Sequence, residues 1–127
     1  MKNLYQSNVD TSVVDDLISG TLVPAKVVPV TVTGTGIVKR GTLLSRDSGD
    51  EEYRLYADGD DIRAVLLLDV DANDPDENVG PAAFSGEFNQ NKIEEVMGIT
   101  LDPAVILDAA EDKKIFIAPM NTNPEPF

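Results

Sequence analysis

The stretch Asp69-Val70-Asp71-Ala72-Asn73-Asp74 sets side-chain oxygens at the first, third and fifth positions of a calcium loop, a spacing that lets them converge on one hard cation. The rest of that pattern is missing. The sixth position holds Asp74 where the sharp turn needs glycine, and the twelfth holds Gly80 where a bidentate glutamate belongs. The run before the loop, Ala64 to Val70, reads as strand and not as helix. Carboxylate pairs of the kind used in glycoside hydrolysis are plentiful. However, 12 of the 23 acidic residues fall between Asp47 and Glu77, mostly in turn-like segments, which is the pattern of a solvated face. Gly34-Thr35-Gly36 followed by Lys39-Arg40-Gly41 fits neither glycine-rich phosphate fingerprint and opens no helix. Ser45, Ser48 and Ser85 have no histidine to activate them, and nothing marks a Ser-Lys dyad.

Composition narrows the chemistry further. Histidine is absent, which removes the commonest general base and the usual nitrogen ligand of metals. Cysteine is absent too, which excludes disulfides, thiolate metal sites and a thiol nucleophile. The expectation is a protein that is not an enzyme, with no cofactor and no metal. The formal net charge of -13 disfavours nucleic acid and anionic membranes as partners, since both are held by clustered Lys and Arg. No apolar run approaches the roughly 18 residues that span a bilayer. The polar start, Met1 to Gln6, lacks the apolar stretch of a secretion signal. A chain of 127 residues with 42% hydrophobic residues can bury one core, so a single globular domain is expected.

The elements that position these residues are mostly strands. Lys26 to Thr33 alternates, with Val28, Val30 and Val32 on one face, and Pro29 marks an edge strand or bulge. After a break at Gly34-Thr35-Gly36, Ile37 to Leu44 reads as strand with a bend at Gly41. Tyr53 to Ala57 is a short apolar segment, and Asp58-Gly59-Asp60-Asp61 is a turn. Ala64 to Val70 is apolar on both faces and is expected to be a central buried strand. An acidic loop from Asp71 to Gly80 follows. Pro81 to Phe88 returns to strand, with Phe84 and Phe88 on one face and Gly86 where a backbone can pass closely. Ile93, Val96 and Met97 predict a helix over Asn91 to Met97, closed by Gly98. Asp102-Pro103 predicts a capped helix running to about Ala110 or Glu111. Ile115 to Ala118 is a last strand. The fold class expected is therefore mainly β, α+β with two short helices.

The two ends differ from this body. Residues 1–20 carry sparse apolar positions, Leu4, Tyr5, Val9, Val13, Val14, Leu17 and Ile18. The last four fit a helical face that Gly20 would end. Such a segment is either a frayed terminus or an arm that orders on a partner, leaving residues 21–119 as the β-rich domain and 120–127 as a loose tail.

Order and spacing carry one more signal. Leu17-Ile18-Ser19-Gly20 and Ile37-Val38-Lys39-Arg40-Gly41-Thr42-Leu43-Leu44 precede Ala64 to Ala72, which ends in Asp69-Val70-Asp71-Ala72. Ala82-Ala83-Phe84-Ser85-Gly86-Glu87-Phe88-Asn89 comes next, and Ile115-Phe116-Ile117 closes the set. This order resembles the lambda-type head decoration proteins of tailed phages, also called capsid cement or stabilisation proteins. Members of that family show a Lys-Arg-Gly-Thr bend, an apolar strand ending near Asp-Val-Asp-Ala, and a Gly-x-Phe-Asn segment. The likeness spans roughly residues 17–118. It implies a β-rich fold assembled as a homotrimer on the outer surface of an expanded phage head, made in the host cytoplasm and bound to the major capsid protein. It also implies an N-terminal arm that adds a strand to the shell. Because the arm reads as helical around Val13 to Ile18, Lys2 to Val9 are the better strand-adding residues. The alternative expectation is a small β-barrel module of a phage tail or another assembly. A calcium-dependent or hydrolytic enzyme built on the acidic loop is the third class.

Overall fold

The computed structural model describes residues 16–20 and 22–119. Ten strands and two helices are assigned there: β1 (Ile18–Gly20), β2 (Val27–Thr31), β3 (Ile37–Val38), β4 (Leu43–Ser45), β5 (Arg54–Leu55), β6 (Ala64–Leu66), β7 (Val70–Asp71), β8 (Val79–Ala83), β9 (Gly86–Asn89), α1 (Gln90–Met97), α2 (Pro103–Lys113) and β10 (Ile115–Ala118). The fold is mainly β, with 34% strand against 18% helix. The strands form a five-stranded sheet ordered β2-β8-β6-β4-β5, a three-stranded sheet ordered β10-β9-β1, and the two-stranded ribbon β3-β7.

The five-stranded sheet is the middle layer, and the period of two along its strands shows why. Leu43, Val65 and Ala83 point into one core, with Leu17, Phe88, Ile93, Ile115 and Ile117. Their sequence neighbours Leu44, Ala64, Leu66 and Ala82 point into a second, with Val30, Val32, Val38 and Val70. A strand buried on both faces must be apolar at successive positions. The central strand β6 meets that requirement, since Ala64, Val65 and Leu66 are all fully buried. The expected central strand is therefore present, but it stops at Leu66. Leu67 N–H donates to the Pro81 carbonyl at 2.9 Å. Proline has no N–H to return that bond, so the ladder ends there. Pro29 sits opposite Pro81 in the β2–β8 register, and β2 is an edge strand of its sheet, as its proline requires.

Phe84 and Phe88 do not share a face. β8 ends at Ala83, and the chain turns at Phe84-Ser85 and Gly86, whose φ of 138° is open to glycine. This turn carries it from the middle sheet into the three-stranded one. Phe84 packs edge-on against Tyr53 beside the second core, with ring centroids 5.8 Å apart, whereas Phe88 lies in the first. A residue-count face rule holds only while a strand is continuous.

Both helices form where the sequence places them. Asn89 caps α1, and Gly98 closes it in the left-handed region with φ 69°. Asp102 caps α2 ahead of Pro103, but the helix continues to Lys113. No glycine marks that end. Lys114 itself takes the left-handed cap, with φ 60°, and its N–H reaches the Ala109 carbonyl.

The helical reading of residues 13–18 is corrected at its described end. Ile18–Gly20 is a strand, antiparallel to β9, and Gly20 lies inside it opposite Glu87. Leu17 is fully buried in the first core. Leu17 and β1 are therefore part of the folded body and not of a separate arm. Val13 and Val14 lie outside the described residues, as do Leu4, Tyr5, Val9 and the tail residues 120–127.

Candidate functional site

The segment from Asp16 to Leu17 is the point on which most contacts of interest converge. Asn89 is at the end of β9, is 6% exposed, holds this segment two ways and caps α1 with a third bond. Its backbone N–H donates to the Leu17 carbonyl at 2.7 Å. Its side-chain amide Nδ2 donates to the Asp16 carbonyl at 2.9 Å. Its side-chain Oδ1 accepts the N–H of Asn91 at 3.0 Å, which is the α1 cap. Buried amides are stable only when such bonds are made.

The Asp16 carboxylate meets two cations. Lys92 Nζ, from the first turn of α1, stands 3.2 Å from Oδ2, and Arg40 Nη1 stands 3.6 Å from Oδ1. Arg40 belongs to the Lys39-Arg40-Gly41-Thr42 bend. There Thr42 N–H returns to the Lys39 carbonyl at 3.1 Å, and Gly41 has φ 100°. A side chain on Gly41 would touch Val96 of α1 and Leu17, the nearest atoms being 3.4 and 3.6 Å from an added Cβ. The bend is tied to the middle sheet by Gly41 N–H to the Leu66 carbonyl, 2.8 Å, and Leu66 N–H to the Thr42 carbonyl, 2.9 Å.

The acidic loop closes the other side of this bend. Asp69 Oδ1 accepts the backbone N–H of Arg40 at 2.7 Å. Ile37 pairs with Asp71 and Val38 with Val70 in the β3-β7 ribbon. The other carboxylates of the calcium-like pattern turn to their own backbone: Asp71 accepts from Asn73 N–H at 3.0 Å, and Asp74 from Asp76 N–H at 2.9 Å. These are loop-shaping Asx bonds. Among the described residues, no group of three acidic, histidine or cysteine side chains is placed to hold a metal ion.

Elsewhere, charge also serves loops. Arg54 donates to Asp47 at 2.6 Å and bonds both oxygens of Asp60, binding the two ends of the 47–61 segment. The Arg54 guanidinium, followed by the Ala57 N–H, holds the Asp60 carboxyl below the usual carboxylate range, and those bonds in turn push Arg54 up. Glu94 is lowered by accepting the Leu101 N–H and then the Gln90 amide, which fastens α1 to the turn ahead of α2. Burial raises Tyr56, and the surrounding aspartates add to it. Beside Tyr56 lies an apolar cavity of about 300 Å³, where Ile37, Leu55 and Ile99 stay exposed next to Met97. Among the described residues, no helix is long and apolar enough to cross a membrane.

Of the expected arm residues, the described part of the structure buries Leu17 in the core and packs the half-buried Ile18 against it. Sequence reasoning missed Asp16, Asn89 and Lys92. The available signal was Asn89 ahead of the Ile93, Val96, Met97 helical face, an N-cap position. The chain matches no protein-family model, and comparison with curated proteins gives no match either.

Proposed function

We propose that the chain is a head decoration protein of a tailed phage. In this reading it is a structural component that binds the major capsid protein on the outer surface of an expanded head as a homotrimer, and it stabilises the shell against the pressure of packaged DNA without catalysis. The observation that carries this reading is the convergence at Asp16 and Leu17. The Lys39–Thr42 bend, the Asp69–Ala72 segment and the Gly86–Asn89 strand are far apart in sequence and are the segments that carry the family resemblance. They meet at the root of the N-terminal segment, through Arg40, Asp69 and Asn89.

Such a root suits an arm that transmits load. Ordering the arm costs about 1–2 kcal/mol per residue, so it forms only on a partner with enough contact. Three arms on one trimer turn weak contacts into tight attachment through effective concentration. Leu4, Tyr5, Val9, Val13 and Val14 are the proposed capsid contacts. The charge of -13 keeps the exposed surface away from DNA.

The test is to mix the protein with expanded, undecorated capsids. Binding at saturation and a higher shell-disruption temperature are expected, with a trimer by sedimentation. Absence of both effects refutes the reading, and hexameric rings would favour a tail module. Removing residues 1–15 is expected to leave a folded trimer that no longer binds. Retained binding would overturn the arm mechanism.

A further inference from the structure

We infer that Asn89 is the positioning residue of the Asp16–Leu17 backbone: one buried amide fixes the start of α1 and the chain at Asp16 together. Its two side-chain atoms have separate duties. Oδ1 accepts the Asn91 N–H at 3.0 Å and starts the helix. Nδ2 donates to the Asp16 carbonyl at 2.9 Å and fixes the chain one residue before the core leucine. The adjoining backbone bond, Asn89 N–H to the Leu17 carbonyl at 2.7 Å, sets the register. Lys92 extends the same arrangement from α1, placing its ammonium 3.2 Å from the Asp16 carboxylate. The backbone at Asp16 is thereby tied to the start of α1.

The two duties are chemically separable. Aspartate retains an acceptor for the Asn91 N–H and is as good an N-cap as asparagine, but it has no N–H for the Asp16 carbonyl. Asn89→Asp should therefore keep the helix and lose the hold on the root. Asn89→Ser does the same without a buried charge, which guards against a variant that fails only because a carboxylate is buried. Asn89→Ala loses both duties.

Residue-resolved hydrogen exchange on the full chain reads the separation. In Asn89→Asp and Asn89→Ser, the amides of Ile18 to Gly20 should exchange about tenfold faster or more, the effect of losing one buried bond. The Asn91 to Glu94 amides should change by less than about twofold. In Asn89→Ala both groups should loosen. Unchanged exchange at β1, or a parallel rise in β1 and α1 in the two capping variants, would overturn the inference.

The functional consequence rests on the capsid reading. With the melting temperature held near wild type, the capping variants should bind expanded capsids about tenfold more weakly or worse, because a misdirected arm must be reoriented. Wild-type affinity in a variant with a loosened β1 would overturn the positioning role. Failure of the wild-type protein itself to bind capsids would sink the proposed function, while the exchange measurement would still decide the role of Asn89 in the fold.

Discussion

Leu17→Ala tests whether Leu17 is core or arm. A residue of a partner-binding arm can be truncated with little effect on the free protein, within about 0.5 kcal/mol for a surface site. The structure requires a large effect. Leu17 is fully buried among Phe88, Ile93 and Ile115. Truncation removes three carbons, a transfer cost of roughly 2.4 kcal/mol at about 0.8 per methylene. The cavity adds to this at about 24 cal/mol per Å³ of space that does not refill. Refilling is poor here, because one neighbour is Gly41, which has no side chain to move in, and another is the bonded strand β9. A total of about 3–4 kcal/mol follows. That is a large part of the roughly 5–15 kcal/mol that holds a domain together. The assay is urea unfolding at a fixed protein concentration, since assembly would add a concentration term. Leu17→Met, which conserves volume, should cost less than about 1.5 kcal/mol. Leu22→Ala, at a residue 93% exposed, should be within about 0.5 kcal/mol. If Leu17→Ala unfolds at the wild-type midpoint with an unchanged slope, Leu17 is not core and its assignment to the folded body is wrong.

Two further outcomes follow from the same contacts. Gly41→Ala should destabilise by about 1–3 kcal/mol, because φ 100° strains any L side chain even though the nearest neighbour leaves 3.4 Å for the new carbon; a neutral result in thermal unfolding would show that the bend relaxes freely. The Arg54–Asp60 pair should make stability depend on acid. The folded carboxyl lies below its unfolded value of about 3.9, so the stabilisation is complete above that pH and is lost as pH falls through the folded value. Stability measured from pH 6 down to 2 should therefore fall more steeply in wild type than in Asp60→Asn, and parallel curves would refute the linkage.

Much of the fold was legible because its strands obey the period of two. β6 is apolar at each successive position and is buried on both faces, and Pro29 marks the edge where a missing N–H costs nothing. The capped start of the second helix was equally plain, because Asp102 ahead of Pro103 marks a first turn, whereas the Asn89 cap of the first helix was missed. The errors share one cause. The apolar spacing of Val13, Val14, Leu17 and Ile18 is consistent with a helical face, but the strand at Ile18–Gly20 is selected by a partner 67 or more residues away, Phe88 and Glu87 of β9. Phe84 and Phe88 were placed together because nothing local showed that the chain changes sheets between them. The root site was hidden for the same reason. Asp16, Arg40, Asp69, Asn89 and Lys92 are each ordinary in their own neighbourhoods, and only the tertiary arrangement brings them into one network.

That network also bears on why so acidic a chain spends its few cations as it does. With 10 basic residues against 23 acidic ones, pairing cannot neutralise the surface. Several ion pairs instead join segments distant in the chain or close a loop: Arg54 joins Asp47 and Asp60 across the 47–61 segment, and Arg40 and Lys92 grip Asp16. Arg46 stacks 5.5 Å over Tyr53 and donates to the Asp50 carbonyl. Exposed pairs of this kind contribute little each, about 0–1 kcal/mol. Their value is therefore better sought in direction than in stability, since they fix where loops and the chain entrance lie. The surplus of negative charge is a separate matter: it sets the long-range field of the protein, which discourages association with like-charged partners and strengthens as salt falls.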